Sequence, residues 1–146
     1  MIATGVKICA FDNASHREQV VALWQGVFGY AAPHNAPEVS IAKKMAVADG
    51  LFFVAADGPR VVGTVMAGYD GHRGWIYSLA VHPDKQKKGI GSALLRHAES
   101  ALLALGCVKI NLQVVEGNEA VLSFYAAHGY VAEKRISMGK RLPQSL

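Results

Sequence analysis

The residues best arranged for chemistry are Gln86-Lys87-Lys88-Gly89-Ile90-Gly91-Ser92. They lie between an apolar, strand-like run that ends at Val81 and a helix-like run that starts near Ala93. A strand, a short basic glycine turn and a helix make a backbone anion site. The glycines let the chain bend tightly with no Cβ in the way. The N–H groups of a helix's first turn have no partner inside the helix, and the helix dipole favours negative charge in front of them. Lys85, Lys87 and Lys88 add mobile positive charge. Such a turn cradles a phosphate.

The elements that position this turn follow from periodicity. Residues 7–11 read as a first strand. Asp12-Asn13-Ala14-Ser15 supplies cap residues for a helix over residues 16–28, where Val20, Leu23, Trp24, Val27 and Phe28 share one face. A turn-rich loop, residues 29–37, leads to a second helix that opens at Pro37 or Glu38 and closes at Ala48. The period then changes. Residues 51–55, 61–69 and 75–81 read as three strands joined by tight turns, an antiparallel meander. After the glycine turn comes a helix over residues 90–105, with Leu94, Leu95, Ala98, Ala101, Leu102 and Leu105 in one stripe and Gly106 to stop it. Residues 109–115 form a fifth strand, which a helical crossover lays parallel to the fourth. Gly117-Asn118 opens a last helix to Ala127, and residues 130–138 make a final strand. The order is β-α-α-β-β-β-α-β-α-β, a mixed α/β sheet with helices on both faces.

Composition bounds the rest. The chain has 146 residues, 51% hydrophobic and 18% charged, which suits one folded domain over residues 1–146 and excludes disorder. Its longest apolar run, residues 51–56, is far too short to span a bilayer. The opening Met1-Ile2-Ala3-Thr4-Gly5 has no basic region followed by an apolar core, so no signal peptide is expected. Cys9 and Cys107 stand alone, outside any metal-ligand spacing, and read as buried free thiols of a cytoplasmic protein. No metal is expected. The formal charge of +4 suits a small polyanion. No long basic stripe with interleaved aromatic residues appears, so neither nucleic acid nor a membrane is an expected partner.

Three phosphate-binding turns compete for the glycine segment. A P-loop needs a Lys directly after its last glycine, and Gly91 is followed by Ser92-Ala93. A dinucleotide turn needs a third glycine where Leu94 stands, and it follows the first strand of a fold rather than the fourth. Gln86-x-x-Gly89-x-Gly91 instead matches the Q/R-x-x-G-x-G/A signature of the GNAT superfamily of acetyl-CoA-dependent N-acetyltransferases. Leu79-Ala80-Val81-His82-Pro83 resembles that family's fourth strand and its exit. Asn118 with Phe124-Tyr125-x-x-His128-Gly129-Tyr130 resembles its closing motif. Residues 63–75 are similar to small single-domain bacterial members. The resemblance covers nearly the whole chain and implies the GNAT fold, a mostly antiparallel sheet of six to seven strands in which strands four and five are parallel and splayed.

The resemblance also implies the cosubstrate, acetyl-CoA, and an amine acceptor, and it admits a homodimer. Backbone groups around Leu79, Ala80 and Val81 would bind the pantetheine arm and polarise the thioester carbonyl. Gln86, with the N–H groups of Lys87, Lys88, Gly89, Ile90, Gly91 and Ser92, would take the pyrophosphate, and Asn118 would approach the CoA side of the cleft. Tyr125 matches the family tyrosine beside the CoA sulfur, the general acid.

The chemistry is transfer of the acetyl group directly to a primary amine of a small molecule, a protein N-terminus or a Lys. It needs a neutral nucleophile, stabilisation of an oxyanion and a proton for the thiolate. The base is missing from its familiar places. Some relatives carry a Glu on the fifth strand where this chain has Leu112-Gln113-Val114, and others carry one on the fourth strand, near Trp75. A glutamine cannot take the proton. Tyr77, His72, Asp70, Glu38, Glu116 or a water chain remain, and none is singled out. Trp24, Phe28, Tyr30, Tyr69, Trp75 and Tyr77 are core or acceptor-lining aromatics, and Glu38, Asp70 and Glu116 could attract a cationic amine. The missing carboxylates keep a second reading open, a catalytically weak acetyl-CoA sensor.

Overall fold

The computed structural model describes residues 5–29 and 36–144. The start of the chain, Tyr30 and most of the turn-rich loop over residues 29–37 lie outside these residues. Two compact units divide the chain, Met1–Gln113 and Val114–Leu146.

The first unit is built on a five-stranded sheet in the order β1-β2-β3-β4-β5. Its elements are β1 (Val6–Ala10), α1 (Asn13–Phe28), α2 (Pro37–Val47), β2 (Phe52–Asp57), β3 (Arg60–Tyr69), β4 (Gly74–Val81), α3 (Ile90–Ala104) and β5 (Ile110–Asn111). β1 to β4 pair antiparallel, and β5 joins β4 in parallel through the α3 crossover. The second unit holds α4 (Glu119–Ala127).

The first two helices start where their opening residues allow. The Asp12 carboxylate accepts from Ser15 N at 2.9 Å, so α1 begins at Asn13, ahead of the expected start at residue 16. Pro37, with no N–H to satisfy, occupies the first turn of α2. Within β3, Gly63 and Thr64 are neighbours and must point to opposite faces. Thr64 meets Trp24 of α1. A Cβ on Gly63 would meet Leu94 Cδ1 of α3 at 2.9 Å. So α1 and α3 cover opposite faces, and each has its own core. Val20, Leu23, Trp24, Ile41, Phe52, Val54 and Met66 form the α1–α2 side. Ile90, Leu94, Leu95, Ala98 and Leu102 are the buried stripe of α3.

The hairpins are tight. β2 and β3 are joined by Gly58-Pro59, with Gly58 at φ 59°, the first-position glycine of a two-residue primed turn. In the β3–β4 turn the Asp70 carboxylate accepts from the backbone N–H groups of His72 and Arg73, both at 2.7 Å. These bonds, that from Arg73 first, hold its carboxyl below the ordinary 3.8.

Four details differ from expectation. The sheet has five strands among the described residues, not six or seven. Residues 130–138 form no strand, and Val131, Ile136 and Met138 stay exposed there with no sheet neighbour to bury them. The fifth strand shrinks from residues 109–115 to Ile110–Asn111. Cys9 is exposed rather than buried, because it alternates with the inward Val6 and Ile8 on the edge strand β1; Cys107 is buried.

Two outcomes test this architecture. Gly63→Ala should destabilise the fold by about 1–3 kcal/mol, because Leu94 on one side and the Ala80 carbonyl on the other leave no room for a methyl group; urea denaturation measures it. The Asp70 carboxyl is depressed when folded, so its contribution is complete above the unfolded value and is lost as the pH falls through the lower folded value. The urea midpoints of the wild type and Asp70→Ala should therefore differ at pH 7 and converge below pH 3.8.

Candidate active site

β4 departs from its neighbours twice. Against β3 its register jumps, with Thr64 opposite Ala80 but Met66 opposite Tyr77. Ser78 and Leu79 therefore both face Val65, a β-bulge. Ser78 sits at φ 49°, a left-handed conformation rare for a residue with a side chain. Against β5, the parallel pairing covers Gly74 with Ile110 and Trp75 with Asn111, then stops. A bulge bends its strand and increases its twist. The pairing ends three residues before the bulge, and β4 runs on to Val81 without a β5 partner along its second half.

The turn after β4 continues this geometry. Gln86 Nε2 donates to the Val81 carbonyl at 3.2 Å and ties the turn to the strand end. Lys87 adopts φ 62°, and Gly89, the residue before α3, adopts φ 80°. Unlike Asp12 before α1 and Asn118 before α4, Gly89 supplies no side-chain cap. Gly89 thus offers no capping oxygen to the first turn of α3. Lys87 and Lys88 are exposed, Gly91 and Ser92 half-buried, and Ile90 is buried beneath them.

Lys85 behaves differently from its neighbours. Its Nζ lies 3.4 Å from Asp57 Oδ2, and Asp84 next to it pairs with Arg60 at 3.0 Å. Lys85 is therefore tied to the β2–β3 hairpin, and the mobile charge of the turn resides on Lys87 and Lys88. The turn from Gln86 to Ser92 has no acidic side chain, and the two nearest acids on the hairpin side are paired. These features fit a diphosphate.

In the second unit Tyr125 is 9% exposed. Phe124 and Tyr130 meet it edge-on, with ring centroids at 5.3 and 5.5 Å. Burial pushes its phenol up to about 12. Asn118 Oδ1 caps α4 by accepting from Val121 N at 3.3 Å, which accounts for its place in the chain without any ligand.

The base candidates are narrowed. Asp70 is committed to its turn and is held as a weak base. Tyr77 is half-exposed, and partial burial first and the charge of Asp70 second raise its phenol above 10, so it keeps its proton at neutral pH. His72 and Glu38 are exposed in the first unit and Glu116 in the second. Trp24 is fully buried and belongs to the core, whereas Phe28 and Tyr77 reach solvent. Among the described residues, no group of three or more His, Cys, Asp or Glu is placed to hold a metal ion.

Sequence reasoning passed over Thr64. It is the one fully buried polar side chain among the described residues, and it links Trp24 Nε1, at 2.8 Å, to the Ser78 carbonyl, at 2.9 Å. The available signal was a hydroxyl in the middle of the apolar run from Val61 to Ala67.

The fold has many solved counterparts. The PaiA N-acetyltransferase from Thermoplasma acidophilum, solved with coenzyme A, superposes with a TM-score of 0.77 at 18% identity over 90% of this chain and 92% of that one. Ard1 from Thermoplasma volcanium gives 0.77 at 22% identity, over 88% and 84%. An aminoglycoside acetyltransferase from an uncultured soil metagenomic sample gives 0.74 at 20% identity, over 99% and 100%. At these identities the likeness is one of fold. A family model described as the acetyltransferase (GNAT) family matches residues 17–130, from α1 through the glycine turn to Tyr130. With most of its length under that match and a GNAT sheet beneath its glycine turn, the chain belongs to the GNAT acetyltransferase family.

Proposed function

We propose that this protein is an N-acetyltransferase that moves the acetyl group of acetyl-CoA directly to a primary amine. The observation that carries this reading is the first turn of α3, opened by Gly89 at φ 80° and set behind a basic glycine turn at the end of a strand that has parted from its neighbour. The family match runs through both compact units, which supports one acetyltransferase domain over residues 1–146. Two free thiols, one of them exposed, favour a reducing cytoplasm as its place of action.

The residues divide the work by chemistry. N–H groups from Lys87 to Ser92, aided by the Lys87 and Lys88 ammoniums and positioned by Gln86, hold the pyrophosphate. Backbone groups of Leu79, Ala80 and Val81 hold the pantetheine arm and polarise the acetyl carbonyl, and the Asn118 amide adds a contact on the CoA side. Bound acetyl-CoA supplies an activated thioester. Tyr125, with a phenol near 12, remains protonated at working pH and serves as the general acid beside the departing sulfur. The phenol hydrogen-bonds the sulfur as the N–C bond forms and the C–S bond breaks, and the proton that the acylated nitrogen sheds makes good the one the thiolate takes, which leaves an amide and a neutral thiol. The acceptor enters as a neutral amine. With Asp70 held as a weak base and Tyr77 protonated, the chain favours amines that are partly neutral at working pH.

Thiol release from acetyl-CoA, measured with a lysine peptide, a peptide α-amine, spermidine and kanamycin, tests the reaction. Binding of acetyl-CoA with no release on any amine would favour a cofactor sensor instead. Gly91→Asp should abolish CoA binding in calorimetry by crowding the cradle and repelling phosphate. Tyr125→Phe should slow thiol release about tenfold or more while CoA affinity stays within a factor of two; unchanged turnover would remove Tyr125 from the chemistry. Because its phenol lies near 12, turnover should show no alkaline limb from Tyr125 below about pH 10.

A further inference from the structure

Thr64 stands in a strand where its immediate neighbours are Gly63 and Val65, and it is completely buried. A valine has nearly the same shape and would need no partner there, so the residue's chemistry lies in its hydroxyl. A buried hydroxyl must be hydrogen-bonded. Trp24 Nε1 donates to Thr64 Oγ1 at 2.8 Å, and Thr64 Oγ1 donates to the Ser78 carbonyl at 2.9 Å. Occupying one lone pair with the indole N–H directs the hydroxyl proton to Ser78.

The Ser78 carbonyl shares its peptide unit with the Leu79 N–H. That unit is planar, and the described chain has no cis peptide bond. In a trans peptide the C=O and the N–H point in opposite directions. Fixing the Ser78 carbonyl on Thr64 therefore fixes the Leu79 N–H to point away from Thr64. The same bond holds Ser78 at φ 49°, a conformation that a residue with a side chain leaves readily unless its surroundings over-determine it.

We infer that Thr64 and Trp24 are positioning residues for acetyl transfer: they lock the Ser78–Leu79 peptide plane in the bulge so that the Leu79 N–H faces the acetyl carbonyl. This inference rests on the reading of Leu79 as a backbone contact to the acetyl group. Neither side chain touches the substrate. Both act through one peptide bond, and their effect is confined to the acetyl end of the donor, because the pyrophosphate cradle is built by a separate segment, Gln86 to Ser92.

The test compares acetyl-CoA with CoA, which lacks the acetyl carbonyl. In the wild type, the Leu79 amide resonance should move between the CoA and acetyl-CoA complexes. Thr64→Val should abolish that difference and lower the rate of thiol release about tenfold or more, with CoA affinity within a factor of two of wild type. Thr64→Ser keeps the hydroxyl and should restore both readouts. In the Thr64→Val background, Ser78→Gly removes the Cβ that strains the bulge and should recover part of the rate. Should Thr64→Val fail to fold, Trp24→Phe reads the same relay and should weaken the Leu79 response. A folded Thr64→Val variant with an unchanged Leu79 response overturns the inference. So does a Thr64→Ser variant as impaired as Thr64→Val, which would assign the effect to the methyl group, or an equal loss of CoA affinity, which would assign it to general damage. Wild-type protein that does not bind CoA overturns the reading of the donor site itself, a result distinct from these.

Discussion

The Thr64 hydroxyl occupies a place where a methyl group would pack, in the middle of a strand otherwise devoted to core. Its bond to the Ser78 carbonyl belongs to the one site in the sheet where β4 holds two residues against one on β3. The bulge bends β4, the bend accompanies the early end of its pairing with β5, and the strand emerges at Val81 beside a turn that Gln86 ties back to it. An ordinary parallel ladder would have tied up the backbone groups of β4 beyond Trp75, and here β5 ends at Asn111. The sheet thus opens on the side where the glycine turn and the first turn of α3 collect their N–H donors.

Electrostatics follow the same division between structure and ligand. Lys85, Arg60, Asp57 and Asp84 pair with one another across the β2–β3 hairpin and the short turn after β4. Such partly exposed pairs add little stability. Their consequence is spatial: they remove two carboxylates from competition for the donors of α3 and leave Lys87 and Lys88 as the exposed cations of the turn. The same segment therefore carries basic residues with different tasks, and only the partner across the hairpin tells them apart.

Much of this was legible in the chain. Helical periodicity and turn residues located α1, α2, α3 and α4 to within a few residues, and the change to short apolar runs marked β2, β3 and β4. The glycine turn was readable because its chemistry is local: the residues that bend the backbone and those that carry charge are adjacent. The bulge was not readable, because it depends on how two strands align, and nothing about Ser78 by itself demands φ 49°. The pairing of Lys85 with Asp57 joins residues far apart in the chain and was hidden for the same reason. The strand expected over residues 130–138 rested on β-forming residue types, and a strand also needs a neighbour to pair with, which the sequence of the segment does not reveal. Cys9 was assigned to the interior on residue type alone, and the edge position of β1 decided otherwise.

Gly63 has a consequence beyond its own packing. Lacking a side chain, it lets Leu94 and Ile90 settle directly onto the backbone of β3, so the opening turn of α3 is clamped against the sheet. A helix end packed this way has less freedom to lose than an unsupported loop when an anion arrives. Much of the entropic penalty that a free loop would pay on capturing a diphosphate is already met during folding, and the grip is one of preorganisation.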